Sequence, residues 1–290
     1  MWNNFDRPGV NGKEVMKYNY AIVAAFALSV MCGQNTSPLQ NGLVQANGIR
    51  IHYLDWGGGG EPLVLLTGYG ATADVFDGLA HRFNERFHVL AFTRRGRAPS
   101  ERTPSGYDLK TLTSDLHAFL DTQRLDRVHL AGHSFAGAEM TEFASRYPNR
   151  VISLVYLDAA FDAAAGEAVM RESPFPPPTP PPGSPYAQVL EWWASYTPDF
   201  SRLKSPALAF YALQDHNPHI PRDASESARR QGEEFWKTKW TPMVRRAAQK
   251  FSRETPNSQV IILENTSHYL FRDREEEVVR EMTKFYNSLH

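Results

Sequence analysis

The 290 residues suffice for one large domain or two small ones, and 42% apolar against 22% charged residues supplies a sizeable core. With 31 basic and 32 acidic residues the net charge is −1, which removes the electrostatic basis for binding nucleic acid or an anionic membrane surface. The single cysteine, Cys32, excludes an intrachain disulfide or a thiolate metal site. In chain order, the first feature is a nearly unbroken apolar run over residues 21–32, too short for a membrane-spanning helix of about 20 residues. If Met16 is the start, Lys17 and this run form the charged-then-apolar pattern of a secretory signal. The expectation is export to the periplasm or medium, with a lipid anchor on Cys32 as one form of it. A cytoplasmic location follows if the run is not a signal. Residues 1–40 are therefore set aside as a signal-like or disordered segment.

From there on, short apolar runs alternate with helical patterns. Residues 43–46 and 50–56 read as two strands joined at Asn47-Gly48, a hairpin signal. Residues 62–67 are continuously apolar, as a strand covered on both faces requires. Gly68-Tyr69-Gly70 then turns the chain towards a helix over 75–83, and 87–92 is the next strand. Leu109, Leu112, Leu116, Phe119 and Leu120 fall at helical spacing, which predicts an amphipathic helix over 109–122. Further strands are expected at 127–131, 151–157, 207–212 and 259–263, with a closing amphipathic helix over 274–289. Strands alternating with helices predict an α/β fold: a mostly parallel eight-stranded sheet with helices on both faces. The alternation breaks over 161–205, a stretch rich in proline that carries Trp192, Trp193 and Tyr196. This stretch is expected to be a lid inserted after the sixth strand, with cores at 41–160 and 206–290. Its tryptophans face a substrate or form the lid's own core.

The most informative stretch is Gly132-His-Ser-Phe-Ala-Gly137. An apolar strand runs into it and a small-residue helix runs out, with Ser134 at the turn. Such an elbow needs small neighbours, because the serine backbone is strained and the helix packs tightly on the strand. It exposes the hydroxyl and aims a helix N-terminus at a developing oxyanion. The pattern departs from G-x-S-x-G in placing Ala136 where the second glycine belongs and Gly137 one step later.

Together with Leu65-Leu-Thr-Gly68, Thr93-Arg-Arg-Gly96, Leu157-Asp-Ala-Ala160 and Ser267-His-Tyr269, in that order, the elbow resembles the lid-bearing α/β-hydrolase superfamily, many of whose members are serine esterases. The resemblance implies a serine nucleophile at Ser134; the family's epoxide hydrolases and haloalkane dehalogenases carry aspartate there. It implies His268 as the base, in the loop after the last strand, and an acid at the end of a late strand. Asp215 is the first choice for that acid, because Ala212-Leu-Gln-Asp215 resembles the family's G-x-x-D. Asp158, after the sixth strand, is the alternative. The oxyanion hole is expected from the amides of Phe135 and Tyr69. Trp192 and Trp193 are the candidate substrate contacts.

No cofactor or metal is expected, His216 and His219 having no third ligand spaced with them. Arg94, Arg95 and Arg97 read as a structural loop rather than an anion site. The resulting expectation is hydrolysis of a small, fairly apolar ester or lactone through an acyl-enzyme. An amide or carbon–carbon bond hydrolase on the same scaffold, or a non-catalytic binding module, is the alternative. The expected partner is a small-molecule substrate, without nucleic acid and without a stable membrane span; the oligomeric state is not legible.

Overall fold

Residues 39–289 are described by the structure, a computed structural model. The signal-like run and the lipid-anchor site on Cys32 lie outside the described residues. Strand β1 (Gln40–Ala46) and β2 (Ile49–Gly57) form an antiparallel hairpin. Its turn is Asn47 at φ 49° and Gly48 at φ 78°, two left-handed positions that an Asn-Gly pair adopts at little cost. Then follow β3 (Pro62–Leu66), a short helix α1 (Asp77–His81), β4 (His88–Thr93) and α2 (Leu109–Thr122). Next come β5 (Val128–His133), α3 (Ala136–Arg146) and β6 (Val151–Leu157). After β6 the chain leaves the sheet for α4 (Ala163–Met170) and α5 (Pro185–Trp193), then returns as β7 (Ala207–Leu213).

The eight strands form one sheet in the order β1-β2-β4-β3-β5-β6-β7-β8, where β8 is Ser258–Glu264. All pairings from β4 onwards in that order are parallel, so the strand C-termini line up along one edge. The central strands are buried on both faces, and the period of 2 is visible along each of them. Val64, Leu66, Leu130, Leu154 and Tyr156 meet α2, α3 and the helix over Thr241–Glu254. Leu63, Leu65, Ala131, Val155 and Leu157 meet α1 and the closing helices. Those are α8 (Leu270–Asp273) and α9 (Glu275–Asn287).

Between β7 and β8 the chain runs through α6 (Glu226–Phe235), a π-helical turn (Trp236–Trp240) and α7 (Thr241–Glu254) without a break. The π turn stacks Trp236 on Trp240, with ring centroids 5.1 Å apart. In the segment between β6 and β7, Asp162 caps α4 by accepting from the Ala165 amide, and Ser184 caps α5 by accepting from the Ala187 amide. Pro174, Pro176–Pro178 and Pro180–Pro182 lie between the two helices, and Pro185 opens α5, where its missing N–H has no partner to lose. Among the described residues no helix is long and apolar enough to cross a membrane.

Candidate active site

Ser134 sits between β5 and α3 at φ 57°, a left-handed conformation that costs an L-residue roughly 1–2 kcal/mol. Close packing enforces it. A Cβ on Gly132 would lie 2.2 Å from Met140 Sδ, and one on Gly137 would lie 1.8 Å from the Ala159 carbonyl oxygen. The glycine displaced by one position thus serves the approach of α3 to the chain leaving β6. Ala136 is accommodated at the usual glycine position, buried in the core.

His268 lies in the loop between β8 and α8, and its Nδ1–H donates to Asp158 Oδ2 at 2.6 Å. Asp158, 5% exposed, ends β6 at φ 50°, and its Oδ1 accepts from the Ala212 amide of β7 at 2.8 Å. Both carboxylate oxygens are therefore fixed, one by the sheet and one by the imidazole. The proton on Nδ1 leaves the Nε2 lone pair of His268 for a nucleophile. Asp215, the first choice for this role, is not brought to His268. It lies two residues beyond the end of β7, its side chain is 65% exposed, and it pairs with the adjacent His216 at 2.6 Å. The structure thus brings Asp158, the alternative, to His268 in place of Asp215.

Ser134 and His268 open onto the same cavity, of about 490 Å³. The serine hydroxyl makes no hydrogen bond among the described residues, and such bonds often tighten only when substrate is bound. The amides of Tyr69 and Phe135 likewise donate to no protein acceptor among the described residues. Phe135 opens α3, and Tyr69 follows Gly68, where a Cβ would lie 2.9 Å from His133 Nδ1 and 3.2 Å from Ser134 Cβ. The loop holding Tyr69 is braced by Arg94, whose guanidinium donates to the Thr67 carbonyl and pairs with Glu139 on α3. Arg95 is bound as firmly to Asp115, at 2.5 Å. Both arginines are buried and committed to structure.

His133, just before the nucleophile, was not singled out by its sequence position. Its Nε2–H donates to the His268 carbonyl at 3.0 Å, and the two rings lie 4.4 Å apart. Burial above all, then the neighbouring His268, pushes this imidazole down to about 3, so it is neutral at ordinary pH.

The two lid tryptophans separate. Trp193 lines the cavity. Trp192 turns away from it: its Nε1–H donates to the Tyr107 carbonyl at 2.8 Å and its ring packs on Phe135. Of the two residues expected to contact substrate, Trp192 is thus partly buried against Phe135 and is not part of the cavity lining. The opposite wall comes from the π turn and α7, with Trp236, Trp240, Met243 and Val244. Sequence reasoning left that insertion out of the site. The Trp236/Trp240 spacing was its only visible signal. His219 also faces the cavity, 5.9 Å from Trp236, and burial lowers its pKa. Among the described residues no cluster of His, Cys, Asp or Glu is arranged to hold a metal ion.

A left-handed serine elbow, a histidine braced by a buried aspartate and a parallel sheet presenting both at its C-terminal edge define an α/β hydrolase. The family model described as "Alpha/beta hydrolase family" matches residues 63–281, and the chain is an enzyme belonging to that family. It is 34% identical over 119 residues to a putative non-heme haloperoxidase of Mycobacterium phage D29, covering 41% of this chain and 42% of that protein. It is 31% identical over 135 residues to N-formylmaleamate deformylase of Pseudomonas putida, covering 46% of this chain and 50% of that protein. The chain thus spans half or less of the length of these curated relatives. Among solved structures, E-2-(acetamidomethylene)succinate hydrolase superposes with a TM-score of 0.64 at 18% identity, over 86% of this chain and 100% of that one.

Proposed function

We propose that the protein is a serine hydrolase of small carboxylic esters or lactones, working through an acyl-enzyme on Ser134, His268 and Asp158. The observation that carries this reading is the pairing of His268 with the buried Asp158, facing the same cavity as the strained Ser134. In the proposed reaction Ser134 Oγ attacks the ester carbonyl carbon while its proton passes to His268 Nε2. The resulting oxyanion meets the amides of Tyr69 and Phe135 at the start of α3, where donors and helix dipole favour negative charge. The tetrahedral carbon then expels the alcohol oxygen, which takes the proton from His268. Water loses a proton to His268 and attacks the acyl carbon. The acid leaves as Ser134 Oγ regains that proton.

An aspartate at the elbow would capture substrate as an alkyl ester; a serine there acts on acyl carbon, which favours esters and related carbonyl compounds. The largely apolar and aromatic cavity wall suits a compact acyl or alcohol group that gains from leaving water. The test is hydrolysis of 4-nitrophenyl esters of graded acyl length by the wild type and by Ser134→Ala. Turnover that vanishes in the variant supports the reading. Equal turnover in a folded Ser134→Ala protein overturns it.

A further inference from the structure

The cavity beside Ser134 has an uneven distribution of charge. Neither lysine nor arginine lines it among the described residues. Of its carboxylates, Asp158 is held by His268, and Asp162 is paired with Lys250 at 2.8 Å. Glu167, on α4, is half-buried in the cavity wall, and its carboxylate makes no hydrogen bond or ion pair among the described residues. Burial, and after it the Glu167 carboxylate, raise the pKa of Tyr186, which stacks on Tyr69 of the oxyanion loop at 4.6 Å. Around the same space stand the indoles of Trp193, Trp236 and Trp240, whose ring faces carry negative quadrupole potential.

A half-buried carboxylate without a counter-ion repels a carboxylate ligand and attracts a cation in proportion to the loss of solvent screening. Aromatic faces add to the attraction for an ammonium group, most of all for a methylated one with little hydration to lose. Extending the serine-hydrolase reading on which it rests, we infer that the cavity selects esters bearing an ammonium group, with Glu167 and the tryptophans as the cation's surroundings, and discriminates against esters bearing a carboxylate.

Three 4-nitrophenyl esters of matched length test this: the 4-(trimethylammonio)butyrate, its uncharged isostere the 5,5-dimethylhexanoate, and the glutarate monoester. The expected kcat/KM order is cation, neutral, anion, each step about tenfold. Glu167→Gln should reduce the cation-to-neutral ratio by about tenfold. An anionic ester turned over as well as the neutral one, or a ratio unchanged by Glu167→Gln, overturns the inference. The catalytic reading is judged separately by Ser134→Ala. In that same variant, tetraethylammonium quenching of tryptophan fluorescence reads the cavity without turnover. Affinity weakened at least about fivefold by adding Glu167→Gln supports the inference, and affinity left unchanged overturns it.

Discussion

Replacing Asp158 by asparagine separates the two carboxylates that compete for the role of acid. The amide keeps the volume and leaves Oδ1 available to accept from the Ala212 amide, so β6 and β7 stay joined. At the other oxygen it places an N–H against the Nδ1–H of His268, in place of the 2.6 Å acceptor. The imidazole must then carry its proton on Nε2 to avoid two facing donors, and its lone pair no longer points to Ser134. In a well-studied serine protease that inversion costs roughly 10⁴ in kcat, and a loss of about 10³–10⁴ is expected here. Losing a charge-assisted hydrogen bond inside the sheet edge should also lower stability by about 1–3 kcal/mol. Asp215→Asn changes only an exposed pair with His216, so turnover should stay within about twofold and stability within about 0.5 kcal/mol. Steady-state kinetics with a 4-nitrophenyl ester, alongside thermal unfolding of each variant, measure both effects. An Asp158→Asn enzyme within tenfold of wild type, or an Asp215→Asn enzyme that has lost a hundredfold, would refute the reasoning.

Gly137→Ala places a methyl 1.8 Å from a backbone carbonyl that cannot rotate aside, so denaturant unfolding should show a loss of at least about 2–3 kcal/mol or no soluble protein. His133, held at about 3 in the native state by burial and by His268, meets an unfolded-state value near 6.5; the unfolded chain therefore binds the extra proton below about pH 6.5, and stability falls as pH drops from there towards 3. By pH 4.5 the contribution is up to about 2–3 kcal/mol, and His133→Gln should show a shallower fall between pH 7 and 4.5 in urea titrations. Trp240→Ala should change the ratio of rates on long and short acyl esters, since the indole lines the cavity. Trp192→Ala should instead lower the melting temperature, because that side chain packs on Phe135 and bonds to the Tyr107 carbonyl.

Much of the fold was legible because burial on both faces leaves a plain signature. The runs around Leu63–Leu66 and Leu154–Leu157 are apolar at every position, which only a covered sheet tolerates. The elbow was legible for a similar reason: a strained serine needs small neighbours, and the glycines stand beside it. The acid was not, since Asp158 and Asp215 both follow buried strands. What separates them is backbone conformation. A left-handed φ at Asp158 folds its carboxylate back between β6 and β7, where the Ala212 amide receives it. Asp215 lies past its strand beside a histidine that pairs with it. The cavity wall was hidden for another reason. The π turn sets Trp236 over Trp240 on the side facing Ser134, and a five-residue turn of that kind has no distinctive pattern of residue types.

The central claim is that Ser134 is a nucleophile activated by His268. A fluorophosphonate probe tests it most directly, because it forms a phosphonyl ester only with an activated serine and needs no knowledge of the substrate. Digestion and mass spectrometry of the labelled protein should place a single adduct on Ser134, with labelling abolished in Ser134→Ala and slowed at least a hundredfold or so in His268→Ala. An unlabelled wild-type protein, or an adduct on another residue that persists in Ser134→Ala, would contradict the account.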